Sequence, residues 1–377
     1  MKAGAWQQAG RILCIRLDYL GDVMMSTPAI RALKQSLPAS RLTLLSSASG
    51  AEVARFIPEI DDTIAYAAPW LKNSAAHDAK ADLSMIEQLA RRRFDAAVIF
   101  TVYSQNPLPA AMLCYLAGIP LRLAHCRENP YQLLTHWVRE TEPQEHIRHE
   151  VRRQLDLVAS IDARTSDERL SFRVPSADLA WTMHRLQALD VDLERPWVVL
   201  HPGAAAPSRR YPPRHWTELA RGLAARLHCP LVFTGSTAEI ALVEQIRAGI
   251  PDAHSLAGQL NLGQLAALLS LAPLAICNNT GPAHIAAAVG TPIVDLYALT
   301  NPQHTPWQVR SRVLFHDVPC RYCYQSVCPQ GHHRCLTEVT PARVIDAALE
   351  LLQTSQAHYP AYANIALPRN RSRQCRL

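Results

Sequence analysis

Cys277-Asn278-Asn279-Thr280-Gly281-Pro282-Ala283-His284 stands where the character of the chain changes. Before it, Leu274-Ala275-Ile276-Cys277 is a short apolar run, the pattern of a buried strand. Two asparagines then favour a turn. After it, Ala283-His284-Ile285-Ala286-Ala287-Ala288 reads as a helix, with Pro282 suited to the first position and Thr280 to the cap. Gly281 lets another group come close to the backbone. Strand, polar turn and helix in this order leave unpaired N–H groups at a helix end, where phosphate or diphosphate binds well. An ordinary strand-to-helix turn has the same composition, so the stretch must be weighed with the rest of the chain.

The same alternation runs outward on both sides. Upstream, strands are expected at 197–200 and 230–233 and helices at 216–227, 238–248 and 262–271, with a strand at 292–297 downstream. The first half opens on Arg11-Ile12-Leu13-Cys14-Ile15-Arg16-Leu17, a central strand. Asp18-Tyr19-Leu20-Gly21-Asp22 follows, then a helix over 23–37 that Pro38 closes. Further strands are expected at 42–45, 63–66 and 95–100, with helices at 81–93, 151–161 and 178–189. Residues 125–150 mix Arg, Glu and four His and read as a long surface loop or lid. This alternation predicts an α/β protein built from two doubly wound parallel sheets. One domain spans 1–190 and a second 191–355, followed by a last amphipathic helix at 339–352 within it and a basic tail at 356–377. Ligands of such sheets bind beyond the carboxyl ends of the strands, and a cleft between the halves is the expected active site.

Composition agrees with that size. A chain of 377 residues is long for one domain, and 49% apolar residues suffice for two cores. Lys+Arg number 38 against 32 Asp+Glu, which suits an anionic substrate and is too weak for nucleic acid. Residues 1–10 lack the apolar core of a signal peptide. The apolar stretch 262–277 is broken by Gln264, Ser270 and Pro273, so a cytoplasmic protein is expected. Of ten cysteines, Cys14, Cys114, Cys229 and Cys277 lie in apolar runs and read as small buried side chains. Cys320-x2-Cys323-x4-Cys328-x6-Cys335, with His332 and His333, has nearly the spacing of a structural zinc site. It is irregular for a zinc ribbon, so free thiols in a loop are the expectation and zinc the alternative. Arg369, Arg371, Arg373 and Arg376 make the tail basic, a solvated end or a weak contact with anionic lipid.

Five motifs in order resemble the heptosyltransferase family of lipopolysaccharide synthesis, glycosyltransferase family 9, which has the two-domain GT-B fold. They are Arg16-Leu17-Asp18-Tyr19-Leu20-Gly21-Asp22 with Pro28-Ala29-Ile30; His201-Pro202-Gly203 with Arg209-Arg210-Tyr211-Pro212 and His215-Trp216; Gly235-Ser236-Thr237-Ala238-Glu239; Asn278 to His284 with Thr300-Asn301-Pro302; and the cysteine cluster with Gly331-His332. Members of that family usually carry Asp at the position of Asn279 and Lys at that of Arg209. Arginine keeps the charge and adds a planar fork. Asparagine keeps an oxygen acceptor and loses the charge.

The resemblance implies an inverting transfer of heptose from ADP-heptose to a lipid-linked core oligosaccharide. It implies no cofactor and no nucleic acid, with transient contact at the inner face of the cytoplasmic membrane. Such a reaction needs a base for the acceptor hydroxyl, and the family match points to Asp22. Capping the following helix is the other reading of Asp22, and Asp18 is the rival carboxylate on the same acceptor-side loop as Arg16 and Gly21. The leaving diphosphate needs fixed donors. Thr280 and Gly281 at the helix end, with Arg209, would supply them in place of a metal ion, although Arg209 is equally readable as surface charge. Glu239 matches the family's nucleotide-contacting acid and is also a favourable first-turn helix acid. Gly203, Ser236 and Asn279 fall in the donor motifs, and His284 either reaches the phosphates or packs. Rival readings are a transferase of the same fold using another nucleotide sugar for a surface glycan, a GT-B-like sugar-nucleotide epimerase, and a non-catalytic nucleotide-binding or zinc-scaffold protein. No G-x-G-x-x-G follows the first strand, which disfavours a dinucleotide dehydrogenase.

Overall fold

The computed structural model describes residues 3–71 and 78–353, so the basic tail lies outside the described residues. In chain order the first six strands are β1 (Arg11–Arg16), β2 (Arg41–Ser46), β3 (Asp62–Ala65), β4 (Ala96–Ile99), β5 (Leu121–Cys126) and β6 (His136–Arg139). The next six are β7 (Val198–His201), β8 (Leu231–Phe233), β9 (Ala253–Ser255), β10 (Ala275–Asn278), β11 (Ile293–Leu296) and β12 (Ser311–Leu314). They form two parallel six-stranded sheets, ordered β3-β2-β1-β4-β5-β6 and β12-β11-β10-β7-β8-β9. Both therefore wind outward from a central pair, and the strand order reverses between β1 and β4 and again between β7 and β10. Such reversal points open a crevice at the carboxyl ends of the strands.

The α/β, doubly wound expectation holds. The interior strands β4, β7, β10 and β11 are buried at every residue, as strands covered by helices on both faces must be. Two compact units result. The first contains the described residues up to Asp178 together with Thr280–Gly290 and Asn301–Val309; the second contains Leu179–Asn279, Thr291–Thr300 and the described residues from Arg310 on. The first has an apolar core that includes Leu13, Ile15, Leu45, Leu89 and Ile99. The second centres on Leu200, Trp216, Leu231, Phe233 and Ile276.

Four strands went unread in the sequence, and one expectation needs correcting. Residues 125–150 are not one long loop: they carry the end of β5, then β6, and lead into the helix Glu150–Ala159. The charges that hid β5 are paired inside the fold. Arg122, 7% exposed, donates to the carbonyls of Gln132 and Leu133 at 2.7 Å each, and His125 lies 3.2 Å from the Arg153 carbonyl. β9 has only three residues, and β12 is a half-buried edge.

The helix after β1 runs from Leu20 to Ser36 with Pro28 inside it. A proline there leaves the carbonyl four residues earlier without its usual partner. Thr27 fills the gap, its hydroxyl donating to the Met24 carbonyl at 2.7 Å and accepting from the Ser171 N–H at 2.9 Å.

Candidate active site

β1 ends at Arg16, whose side chain is fully buried. Its guanidinium meets three carboxylates: Asp18 at 3.0 Å, Asp22 at 3.3 Å and Glu150 at 2.6 Å. One positive charge cannot neutralise three negative ones in a buried setting, so the group titrates unevenly. Burial pushes Asp18 up to about 6, with Asp22 adding to the rise, while Arg16 and a 2.5 Å hydrogen bond from Gln105 oppose it. Glu150 goes the other way: burial would raise it, but Arg16 holds it below the usual carboxylate range. Arg16, which burial alone would lower, is held above its ordinary value by Glu150, Asp18 and Asp22.

Asp22 is the third residue of its helix and completes a capping box with Tyr19. One carboxylate oxygen accepts from the Tyr19 N–H at 3.2 Å, and the other faces Arg16. Its side chain is 17% exposed, so capping leaves it in reach of solvent and of a ligand. The helix Gly281–Val289, part of the same unit, packs against the start of this one. A Cβ on Gly21 would lie 2.8 Å from His284 Cδ2, and one on Gly281 would lie 3.2 Å from Leu20 Cδ2. The two glycines therefore allow the two helix beginnings to touch. Thr280 occupies the cap position with extended backbone and without a side-chain cap hydrogen bond. Beside Asp18, a cavity of about 560 Å³ opens at the carboxyl ends of the first sheet. Tyr19, Tyr66, Trp70, Gln105 and Asn106 are among the residues lining it.

Within the second unit two segments of the His201–Trp216 motif meet at Asn278, which the sequence offered as a turn residue and not as a site residue. Its amide donates to the Pro202 and Gly203 carbonyls at 2.7 and 3.3 Å and accepts from the Tyr211 N–H at 3.1 Å. The strand end thus ties the loop after β7 to the Arg209–Tyr211 loop. Arg209 donates to the Asn279 carbonyl at 3.5 Å. Glu239 covers Gly203, where a Cβ would fall 2.1 Å from its carboxylate. The same carboxylate accepts from the Ser236 N–H and hydroxyl at 2.7 and 2.9 Å, so Glu239 closes the capping box of its own turn. His201 is taken down to about 4 by burial, with Glu239 opposing, and pairs with the Thr234 hydroxyl at 2.9 Å.

The cysteine loop packs against Ser208, the residue before Arg209. Ser208 donates its N–H to the Ser326 carbonyl at 3.0 Å and its hydroxyl to the Gln325 carbonyl at 2.8 Å. Cys320, Cys323, Cys328 and Cys335 are half-buried free thiols. Burial raises Cys335, and the other three add to the rise. Among the described residues, no group of three or more His, Cys, Asp or Glu is arranged to hold a metal ion, and no helix is long and apolar enough to cross a membrane. Two further site residues, Glu150 and Asp295, were missed in the sequence. The available signal for Asp295 was an acid inside the apolar run 292–297; Glu150 gave none beyond its place at a helix start.

A family model described as glycosyltransferase family 9 (heptosyltransferase) matches residues 83–333. Lipopolysaccharide heptosyltransferase 2 of Escherichia coli K12 is 25% identical over 361 residues, which is 92% of this chain and 100% of that protein. The solved E. coli ADP-heptose lps heptosyltransferase II superposes with a TM-score of 0.71 at 24% identity, covering 92% of this chain and 99% of its own. The E. coli heptosyltransferase WaaC with ADP-2-deoxy-2-fluoro heptose gives 0.64 at 18%, covering 89% and 97%. Likeness of this extent assigns the GT-B fold to the two doubly wound sheets.

Proposed function

We propose, from the premise that this chain belongs to glycosyltransferase family 9 (heptosyltransferase) and is a glycosyltransferase, that it moves heptose from ADP-heptose to a lipopolysaccharide core acceptor with inversion. The observation that carries the reading is the meeting of two helix beginnings, Gly21 against His284, which brings the first turn that holds Asp22 against the first turn of Gly281–Val289. A base and a diphosphate-binding end are the two parts that glycosyl transfer needs close together.

In this mechanism Asp22 takes the proton of the acceptor hydroxyl as its oxygen attacks the anomeric carbon. The bond from that carbon to the diphosphate breaks on the opposite side, and the electron pair leaves with ADP. The N–H groups at Thr280 and Gly281 stabilise the charge that develops on the leaving group, and Arg209 adds full positive charge. Glu239, Ser236 and Gly203 serve the nucleoside, and the cavity beside Asp18 receives acceptor sugar. The chemistry needs no cofactor. The reaction takes place at the inner face of the cytoplasmic membrane, where the acceptor lipid is anchored.

Support for the donor is the ADP-heptose analogue named with a structural relative and the heptosyltransferase 2 named among sequence relatives. The test is ADP release from a panel of nucleotide sugars, each with and without core acceptor. Release that requires both ADP-heptose and acceptor is the expected result. Conversion of a donor sugar without acceptor would replace this reading with the epimerase.

A further inference from the structure

Asp295 lies on β11, the strand next to the β12 edge of the second unit's sheet, and is fully buried. Its neighbours Val294 and Leu296 face the apolar core, while Asp295 points to the other side. In register it stands beside Cys277 on β10, which in turn stands beside His201 on β7, with Val313 across on β12. A carboxyl group in such a row normally has firm partners, because burying it without them costs stability. The Asn279 side chain approaches it as a hydrogen-bond donor. Among the described residues, however, none holds either carboxylate oxygen at full hydrogen-bond geometry. The opposite charge acting on it is Arg209, the side chain that donates to the Asn279 carbonyl. An apolar residue would serve the core better, so the carboxyl is there for the Asn279–Arg209 pair.

We propose that Asp295 is a positioning residue for the donor diphosphate. As the neutral acid it steadies Asn279 and leaves the Arg209 guanidinium to the diphosphate; as the carboxylate it draws that charge to itself. The inference rests on the reading of Arg209 as a diphosphate ligand.

Burial pushes Asp295 up to about 8, with Asn279 and Arg209 opposing. The other ionisable groups facing it stay out of that range. Cys277 is held well above the ordinary thiol value by burial and by Asp295 itself, and His201 lies near 4. The helix Leu262–Leu271 carries no ionisable residue. The helix Pro341–Gln353 packs on the opposite face of β11, with Val294 and Leu296, so its charged residues do not face Asp295. A bound diphosphate adds negative charge beside Asp295 and favours its protonated form. Binding should therefore take up a proton, and affinity should fall by up to about tenfold per pH unit above the transition.

The test is calorimetric titration of ADP into the whole protein from pH 7.5 to 9.5, in buffers of different ionisation heat. The unmodified protein should bind ADP more weakly as pH rises and take up a proton on binding near pH 8. In Asp295→Asn both the slope and the proton uptake should vanish. Thermal melts of Asp295→Asn and Asp295→Leu separate positioning from a fold role. The folded chain keeps this proton up to about 8 while the ordinary value is 3.8, so ionisation costs stability as pH rises between the two. Both variants should melt no lower than the unmodified protein above pH 7. A slope retained in Asp295→Asn, or an unmodified protein whose ADP affinity is flat, overturns the role of Asp295, as does a lowered melting temperature in both variants. Absence of ADP binding at every pH overturns the donor reading beneath it instead.

Discussion

Asp22 shares Arg16 with Asp18 and Glu150, and that sharing governs what its removal does. The fully buried Glu150 keeps the guanidinium engaged, so losing the Asp22 charge leaves Arg16 paired. Asp22→Asn retains size and capping ability and loses only the capacity to take a proton. Its kcat should drop about 10²–10⁴-fold while ADP affinity, read by calorimetry, stays near that of the unmodified protein. Near-normal kcat in Asp22→Asn combined with a large loss in Asp18→Asn would move the base to Asp18. Arg209→Ala should weaken ADP binding by on the order of 1.5–3 kcal/mol, the worth of a charge-assisted bond, and Arg209→Lys should recover much of it. Equal ADP affinity in Arg209→Ala and the unmodified protein would contradict that assignment. Charged residues soon after a strand, such as Asp18, Asp22 and Arg209, were legible as candidates because segments that follow strand ends often carry function. Asn278 and Glu150 were not. Their importance comes from partners 67 or more residues away, which spacing cannot reveal.

At the scale of elements, the contact between two helix beginnings is the feature with most consequence. Gly21→Ala would place a methyl 2.8 Å from His284 Cδ2, and the helices must shift by some tenths of an ångström. Stability should change little, because the strain is relieved at the helix ends. Turnover should fall by up to about 10²-fold, since small misplacements of reacting groups are costly. Steady-state kinetics alongside a thermal melt checks this, and unchanged turnover would detach the His284 contact from the chemistry. Strands that are apolar throughout, such as β4 and β8, could be read directly from composition. β5 could not, because Arg122 and His125 look like surface residues until their carbonyl partners are folded into place. The cysteine loop was legible as a cluster and not as a brace. Its contacts with Ser208 run through backbone carbonyls, which leave no trace in residue type.

For the whole molecule, two successive sheets with one strand order account for why the architecture was readable: the pattern of strand, turn and helix simply occurs twice. Which unit a given helix joins is not written in that pattern. Thr280–Gly290 and Asn301–Val309 follow strands of the second sheet in the chain and belong to the first unit: Gly21 and Gly281 let the first of them approach the helix after β1, and the second bonds to His149, Glu150 and Glu168. The most direct measurement is the mass and anomeric configuration of the product formed from ADP-heptose and a lipid-linked core acceptor, with Asp22→Asn run in parallel. The expected result is one added heptose per acceptor, of configuration opposite to that in the donor, accompanied by one ADP and absent with Asp22→Asn. A product of retained configuration, or an acceptor left unchanged while the donor is consumed, would contradict it.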